Sequence, residues 1–268
     1  MNFLLHIHKA VAMAAIVTAC FTVYVFAEPD FWFVQITDTH WGKDDNLART
    51  KKVVAAMNDI PVKIAFAVHT GDIVDKSVEN RQIVMDSGLD LLKTLKFPVY
   101  FVAGNNDIPE KHFKSASAEF IKRFGGLNRI FVTTEASVIT LLDFTVEKKD
   151  GKVKYDPVSE LDSLLKLTQG NKPVLVFQHF PVTDDYYDDI FHDNWESEIK
   201  ARFTSLCESH NVAAVICGHY HRDELHWLGT IPEFVAPPIA AKMGRQASFR
   251  LYHYQNRRLA YYSQYIKE

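Results

Sequence analysis

FWFVQITDTH, residues 31–40, carries the pattern on which the fold assignment turns. Its first seven residues are rich in aromatic and β-branched side chains and read as a buried strand. They give way at once to Asp38, Thr39 and His40, a carboxylate and an imidazole one residue apart. Side chains of an extended segment alternate between faces, so a D-x-H spacing is expected to put both donors on one side. Metal-type donors at the carboxyl end of a strand sit where open α/β sheets bind their ligands.

The same arrangement recurs along the chain. KIAFAVHT (63–70) leads into Gly71-Asp72, and PVYFVAG (98–104) into Asn105-Asn106-Asp107. KPVLVFQH (172–179) ends on His179, and VAAVICG (212–218) leads into His219-Tyr220-His221. Gly71, Gly104 and Gly218 are expected to let the backbone turn sharply at these strand edges. Between the strands, apolar periodicity predicts helices over 45–58, 77–96, 115–124 and about 195–210. Asp156-Pro157 is an N-cap followed by proline in the first turn of another helix. RIFVTT and SVITLLDF, two residues apart, predict a hairpin, and the tail predicts a second one turning at Gln255-Asn256. With no repeat or long linker, residues 28–268 read as one α/β domain of mixed sheets with helices outside.

Composition bounds the function. A chain of 268 residues that is 47% apolar can bury one sizeable core. The net charge of −3, with acids and bases interspersed, leaves no basic footprint for a nucleic acid duplex. Residues 1–27 stand apart: Lys9, an apolar run of 18 residues, then Glu28-Pro29-Asp30. This is the pattern of a signal peptide cleaved after Val25-Phe26-Ala27, and it predicts export to a secreted or periplasmic location. A run of that length also suits an uncleaved N-terminal membrane anchor. VTAC resembles a lipoprotein box at Cys20, but the apolar residues after it do not suit a tether. Cys207 and Cys217, late in a helix and at the end of a buried strand, could pair or pack as free thiols.

Seven side chains form the candidate site: Asp38, His40, Asp72, Asn105, His179, His219 and His221. Imidazoles with carboxylates and an amide oxygen suit divalent Mn, Fe or Zn better than Ca. Seven donors are too many for one tetrahedral ion, and about right for two metal ions sharing a carboxylate. Any one of them alone would more often cap a turn or sit satisfied in a core. Seven such donors at strand ends together point to a metal site.

In these motifs the chain resembles the calcineurin-like metallophosphoesterases, whose pattern is D-x-H, G-D-x-x-D, G-N-H-D/E, H and G-H-x-H. Here it reads D-T-H, G-D-I-V-D, G-N-N-D, Q-H-F and G-H-Y-H, in order across residues 38–221. The resemblance implies two facing mixed β-sheets flanked by helices, a four-layer αββα sandwich. It implies one metal on Asp38, His40, Asp72 and His221, and a second on Asp72, Asn105, His179 and His219, with Asp72 bridging. It also implies hydrolysis of a phosphate mono- or diester of a small phosphorylated molecule through a metal-bridging hydroxide. No specific protein partner is expected. Asp75 stands where purple acid phosphatases carry tyrosine, which argues against that subfamily and makes it a loop-stabilising acid.

The departure is Asn106, at the family's histidine. An amide can donate a hydrogen bond to a developing oxyanion but cannot give up a proton near neutral pH. General acid help is worth about 10²–10⁴-fold, so Asn106 as the catalytic donor implies slower turnover or a narrower range of leaving groups. His112 and His192 are alternative proton sources, or otherwise surface histidines. TDDYYDDIFHDNW (183–195) is expected as a solvated loop near the site, with tyrosines able to stack on a base or lipid-like group. The competing reading is a catalytically weak scaffold or binding protein on the same fold, as in retromer-type subunits. A complete ligand set argues against it. A hydrolase of non-phosphate esters would use the same donors.

Overall fold

The structure is a computed structural model that describes residues 28–267 apart from 144–145, 148–152, 169, 188–189, 193–194 and 242–243. The leader falls outside the described residues. In chain order the elements are β1 (Phe31–Ile36), α1 (Asn46–Asn58), β2 (Ile64–His69), α2 (Arg81–Leu92), β3 (Val99–Phe101), a short 3₁₀ turn (Glu110–His112), α3 (Phe113–Phe124), β4 (Arg129–Val132) and β5 (Ser137–Thr140). Then come β6 (Val146–Glu147), β7 (Val153–Tyr155), α4 (Pro157–Leu165), β8 (Val174–Phe177), β9 (Asp185–Tyr187), β10 (Ile190–His192) and α5 (Ser197–Ser209). The chain closes with β11 (Val212–Cys217), β12 (Glu224–Leu228), β13 (Ile231–Val235), β14 (Ser248–Gln255) and β15 (Arg258–Tyr265).

Two mixed sheets face each other. The first runs β15-β14-β1-β2-β3 and the second β12-β13-β11-β8-β5-β4. Within them β1, β2 and β3 are parallel, as are β5, β8, β11 and β13. Of these, β1, β2, β8 and β11 are buried on both faces, which is why they read as near-continuous apolar runs. Phe33 of β1 shows the inner packing: its ring stacks on Tyr252 at 4.7 Å and on Phe66 at 5.1 Å, and meets Phe177 of the facing sheet edge-on at 5.9 Å. Val34 and Ile36 point the other way, into a cluster with Val53, Met57 and Leu92 from α1 and α2. On the far side α4 and α5 cover the second sheet through Val158, Leu161 and Phe203. The four-layer αββα sandwich is the architecture that the resemblance implied.

Helix starts follow local chemistry. The Asp156 carboxylate accepts from the Val158 N–H at 3.0 Å, with Pro157 in the first turn of α4. α2 begins later than predicted, because the Asp75 carboxylate takes both the Ser77 N–H at 2.9 Å and the Ser77 hydroxyl at 2.5 Å. Those bonds hold residues 75–77 in a turn that competes with helix. The C-terminal hairpin turns on Asn256 and Arg257, both at positive φ, as a two-residue primed turn requires. Besides the short antiparallel pair β6–β7, two hairpins were not anticipated. One is β12–β13, where Pro232 obscured the strand; it lies before the first pairing with β11 (Val215 with Glu233), so its missing N–H costs that ladder nothing. The other is β9–β10, inside the segment expected as a loop. Cys207 and Cys217 are both buried and free. Among the described residues no helix is long and apolar enough to cross a membrane.

Trp41, fully buried beside the first donor loop, donates from Nε1 to the Thr50 hydroxyl at 2.9 Å. Gly88 of α2 lies against its ring, where an added Cβ would come within 2.2 Å. Gly88→Ala in an open helix would stabilise by up to about 1 kcal/mol. Here overpacking is expected to reverse the sign and cost about 1–3 kcal/mol, read as a lower urea midpoint.

Candidate metal centre

The carboxyl ends of the parallel strands of both sheets meet at one place, and the predicted donors meet with them. Gln35 at the end of β1 ties the sheets together, its amide donating to the Cys217 carbonyl at 2.7 Å. Two groups of donors have their ligand atoms mutually within 4.8 Å: Asp38, His40 and His221, and Asp38, Asp72 and His179. His221 Nε2 lies 3.0 Å from Asp38 Oδ1. His40 Nε2 lies 3.8 Å from Asp38 Oδ1 and 3.7 Å from Asp72 Oδ2. On the other side His179 Nε2 is 3.5 Å from Asp72 Oδ1 and 3.1 Å from the Asn105 amide oxygen. His219 stands at the edge, half-buried, its ring centre 5.1 Å from that of His179 and its N–H donating to Asp38 Oδ2 at 3.1 Å. Asp72 therefore lies between His40 on one side and His179 on the other, and Asp38 is shared between the two groups.

The pleat does not bring them together. Asp38, His40, Asp72, His219 and His221 all have positive φ, between 40° and 67°, so neither the D-x-H nor the H-x-H segment is extended. Left-handed backbone costs a non-glycine residue roughly 1–2 kcal/mol, and such strain collects at functional sites. It is held by pairing between loops: Asp38 N–H to Gly71 O at 3.0 Å, His40 N–H to Asp72 O at 3.0 Å, and Trp41 N–H to Ile73 O at 2.9 Å. The glycines also differ from expectation. Gly71 turns at φ 94°, but Gly104 and Gly218 are needed for space. An added Cβ would lie 2.3 Å from the Asp72 amide at Gly104, and 2.0 Å from the Thr37 hydroxyl at Gly218.

The donor set fits divalent cations on its own geometry. His179 Nδ1 donates to the Thr70 carbonyl at 2.8 Å, which leaves Nε2 facing the Asn105 and Asp72 oxygens. Three electron-rich atoms that close, and buried, require a proton or a cation among them. In the cation-free chain the proton serves. Burial opposes charge on His179, but Asp72, Asp38 and Asp143 overcome it and raise its pKa to about 9. Burial likewise disfavours the Asp38 anion, yet the imidazoles of His221, His179 and His40 hold its carboxyl well below the usual range. His221 Nδ1 is buried without a hydrogen-bond partner.

Other predicted residues find definite places. Asp75 is the loop-stabilising acid expected, and its Oδ2 also lies 3.6 Å behind His40 Nδ1. Asn106 is nearly buried and turned onto Asp72: its N–H donates to Oδ1 at 2.8 Å and its side-chain amide to Oδ2. His112 is exposed and does not line the cavity beside the donors. His192 closes β10, and its side chain falls outside what the structure describes. Tyr186 points to solvent, with Asp185 beside it paired to Arg222.

Two acids that shape the site were not singled out. Asp107 accepts from Ile73 N–H at 3.1 Å and Gly104 N–H at 2.9 Å, stapling two donor loops. Asp143, in the segment that follows β5, accepts from the Phe180 N–H beside His179. Burial first, then Asp72, raises Asp107 to about 7, and burial raises Asp143 to about 7. Asp107 stands in the quoted loop, whereas nothing local in the sequence marks Asp143. A cavity of about 260 Å³ opens beside the donors, lined by His40, Asp72, His219, His221, Lys43 and Lys76 among others. A larger one, about 620 Å³, lies at the opposite edge of the sheets, against the starts of β8, β11 and β13, and holds none of the donors.

A family model described as calcineurin-like phosphoesterase matches residues 31–223. The chain is 29% identical over 209 residues to a probable cyclic nucleotide phosphodiesterase of Colwellia psychrerythraea, covering 71% of each. It is 25% identical over 221 residues to the serine/threonine-protein phosphatase CPPED1 of Danio rerio, covering 72% of this chain and 71% of that one. Among solved structures a dimetal phosphatase from Danio rerio superposes with a TM-score of 0.66 at 15% identity, over 90% of this chain and 98% of that one. That likeness is one of fold.

The raised pKa of His179 has a pH signature. Its folded value, about 9, lies above the ordinary 6.5, so its contribution to the cation-free chain is full below 6.5 and lost as pH rises through 9. With chelator present, the gap in urea midpoint between wild type and His179→Gln should narrow from about pH 6 to about pH 9.5. A gap that widens would contradict it.

Proposed function

The chain belongs to the calcineurin-like phosphoesterase family and is a phosphoric ester hydrolase, and we propose that it works with two divalent cations on a phosphate mono- or diester of a small molecule. The observation that carries this reading is the convergence of donors from five loops, spread from residue 38 to residue 221, beside one open cavity. Asp38, His40, Asp72 and His221 would hold one cation, and Asp72, Asn105, His179 and His219 the other. Cations of the Mn, Fe or Zn class would supply Lewis acidity, which makes water nucleophilic near neutral pH and offsets phosphoryl charge.

The chain's own residues do the rest. Asn105 is a neutral donor, so it adds no charge that would repel an incoming phosphate. The Thr70 carbonyl fixes the tautomer of His179, and Asp75 sits behind His40 to orient its ring. His219 and His221 line the cavity, and Lys43 and Lys76 add positive charge for an anionic substrate. At about 260 Å³ the cavity suits a phosphoryl group with part of its substituent, the remainder projecting to solvent. The relative named as a probable cyclic nucleotide phosphodiesterase makes a phosphodiester the first substrate to try. The apolar leader adds export as the expected location.

Purified protein supplied with Mn²⁺ should hydrolyse bis(p-nitrophenyl) phosphate. Chelator should stop the reaction and fresh Mn²⁺ restore it. Asp72→Ala should reduce the rate to background, and full activity in that variant would remove the shared carboxylate from the scheme. Mn²⁺ binding without turnover of any mono-, di- or pyrophosphate would favour a binding protein.

A further inference from the structure

Asn106 borders the cavity, but the hydrogen bonds of its amide run to the protein, where a transition-state donor would aim at the substrate. Its backbone N–H reaches Asp72 Oδ1 at 2.8 Å, and its side-chain Nδ2 donates to Oδ2 of the same carboxylate. The two bonds together lock the carboxylate against rotation about its terminal torsion. Asn106 is itself anchored from behind. Its side-chain oxygen accepts from the Lys76 N–H at 3.3 Å, and its carbonyl accepts from Arg81 at 3.0 Å. Arg81 also donates to the Asp75 carbonyl at 2.8 Å, so one guanidinium ties together the loops that carry Asp72 and Asn105. A single side-chain amide hydrogen stays uncommitted.

Asp72 is the group for which such a hold matters. It sits at φ 54°, is almost fully buried, and has His40 at 3.7 Å on one side and His179 at 3.5 Å on the other. A carboxylate that serves two neighbouring sites must present a defined oxygen to each. If it rotates, both sites change together. Hydrogen-bonding partners of metal-binding carboxylates typically account for about 10–100-fold in affinity.

We propose that Asn106 is a positioning residue for Asp72: it grips the shared carboxylate by both oxygens, sets the affinity of the site for its cations, and gives nothing to the leaving group. This rests on the dinuclear reading above. It also narrows the substrate class to esters and anhydrides whose leaving groups depart without a proton. The asparagine at the family's histidine position then marks an exchange of acid help for a firmer carboxylate.

The test is a pair of measurements on Asn106→Ala and Asn106→Leu. The leucine variant keeps the side-chain volume and the backbone donor while losing the amide. Calorimetric titration of chelator-stripped protein with Mn²⁺ should show two ions per chain in the wild type. In the variants the dissociation constant of at least one ion should rise by about 10–100-fold. At saturating Mn²⁺, the slope of log kcat against leaving-group pKa over a series of aryl phosphodiesters should match the wild type. Affinities within about twofold of wild type, or a steeper slope in either variant, would overturn the assignment and return Asn106 to the leaving group. Fewer than two ions in the wild type would sink the dinuclear reading, and this assignment with it.

Discussion

Two aspartate side chains, Asp38 and Asp72, are buried where the sheets meet, and the organisation of the site follows from keeping their charge there. A buried carboxylate is costly unless it is hydrogen-bonded and faced by positive charge. Asp38 accepts from the Thr37 hydroxyl at 2.6 Å and the His219 N–H at 3.1 Å, and Asp72 accepts from both amides of Asn106. Imidazoles supply the facing charge while no cation is present, and the same field would attract a divalent ion in their place. A cluster so arranged is poor as a stability device and well suited to a binding site.

Strain and support are divided between different residues. The donors carry the unfavourable backbone, with five of them in the left-handed region. Their neighbours carry the restraint. Asp107 and Asp143 hold loop N–H groups, and Trp41 packs on Gly88. Asn46 donates to the His40 carbonyl at 2.9 Å and accepts from the Ala241 N–H at 3.0 Å, closing the cavity from a third side. None of this second group is among the seven donors, yet the geometry of the first is lost without them.

Much of this was legible in the chain. Strands buried on both faces declare themselves as apolar runs, and donor residues after five of the strands mark both the edge and the chemistry of the site. The N-cap at Asp156 followed from an equally local signal, whereas the sequence left open whether Cys207 and Cys217 pair. Less was legible where tertiary contact overrides local pattern. The strand β13 carries a proline that would demote it in isolation, and α2 loses its first predicted turn to the Asp75–Ser77 bonds. The alternation rule failed at D-x-H because backbone pairing with residues 71–73 imposes a left-handed path there, and at H-x-H because the chain turns locally, with Tyr220 N–H on the Gly218 carbonyl and His219 N–H on Asp38.

The donor types, their order and the sandwich they require are written in the chain, because hydrophobic periodicity and ligand chemistry are properties of neighbouring residues. What each group faces is set by folding alone. Asn106 and Asp72 are separated by 34 positions and meet because β2 and β3 run side by side. Whether an amide points at a substrate or at a carboxylate depends on that meeting, and no local pattern in the chain encodes it.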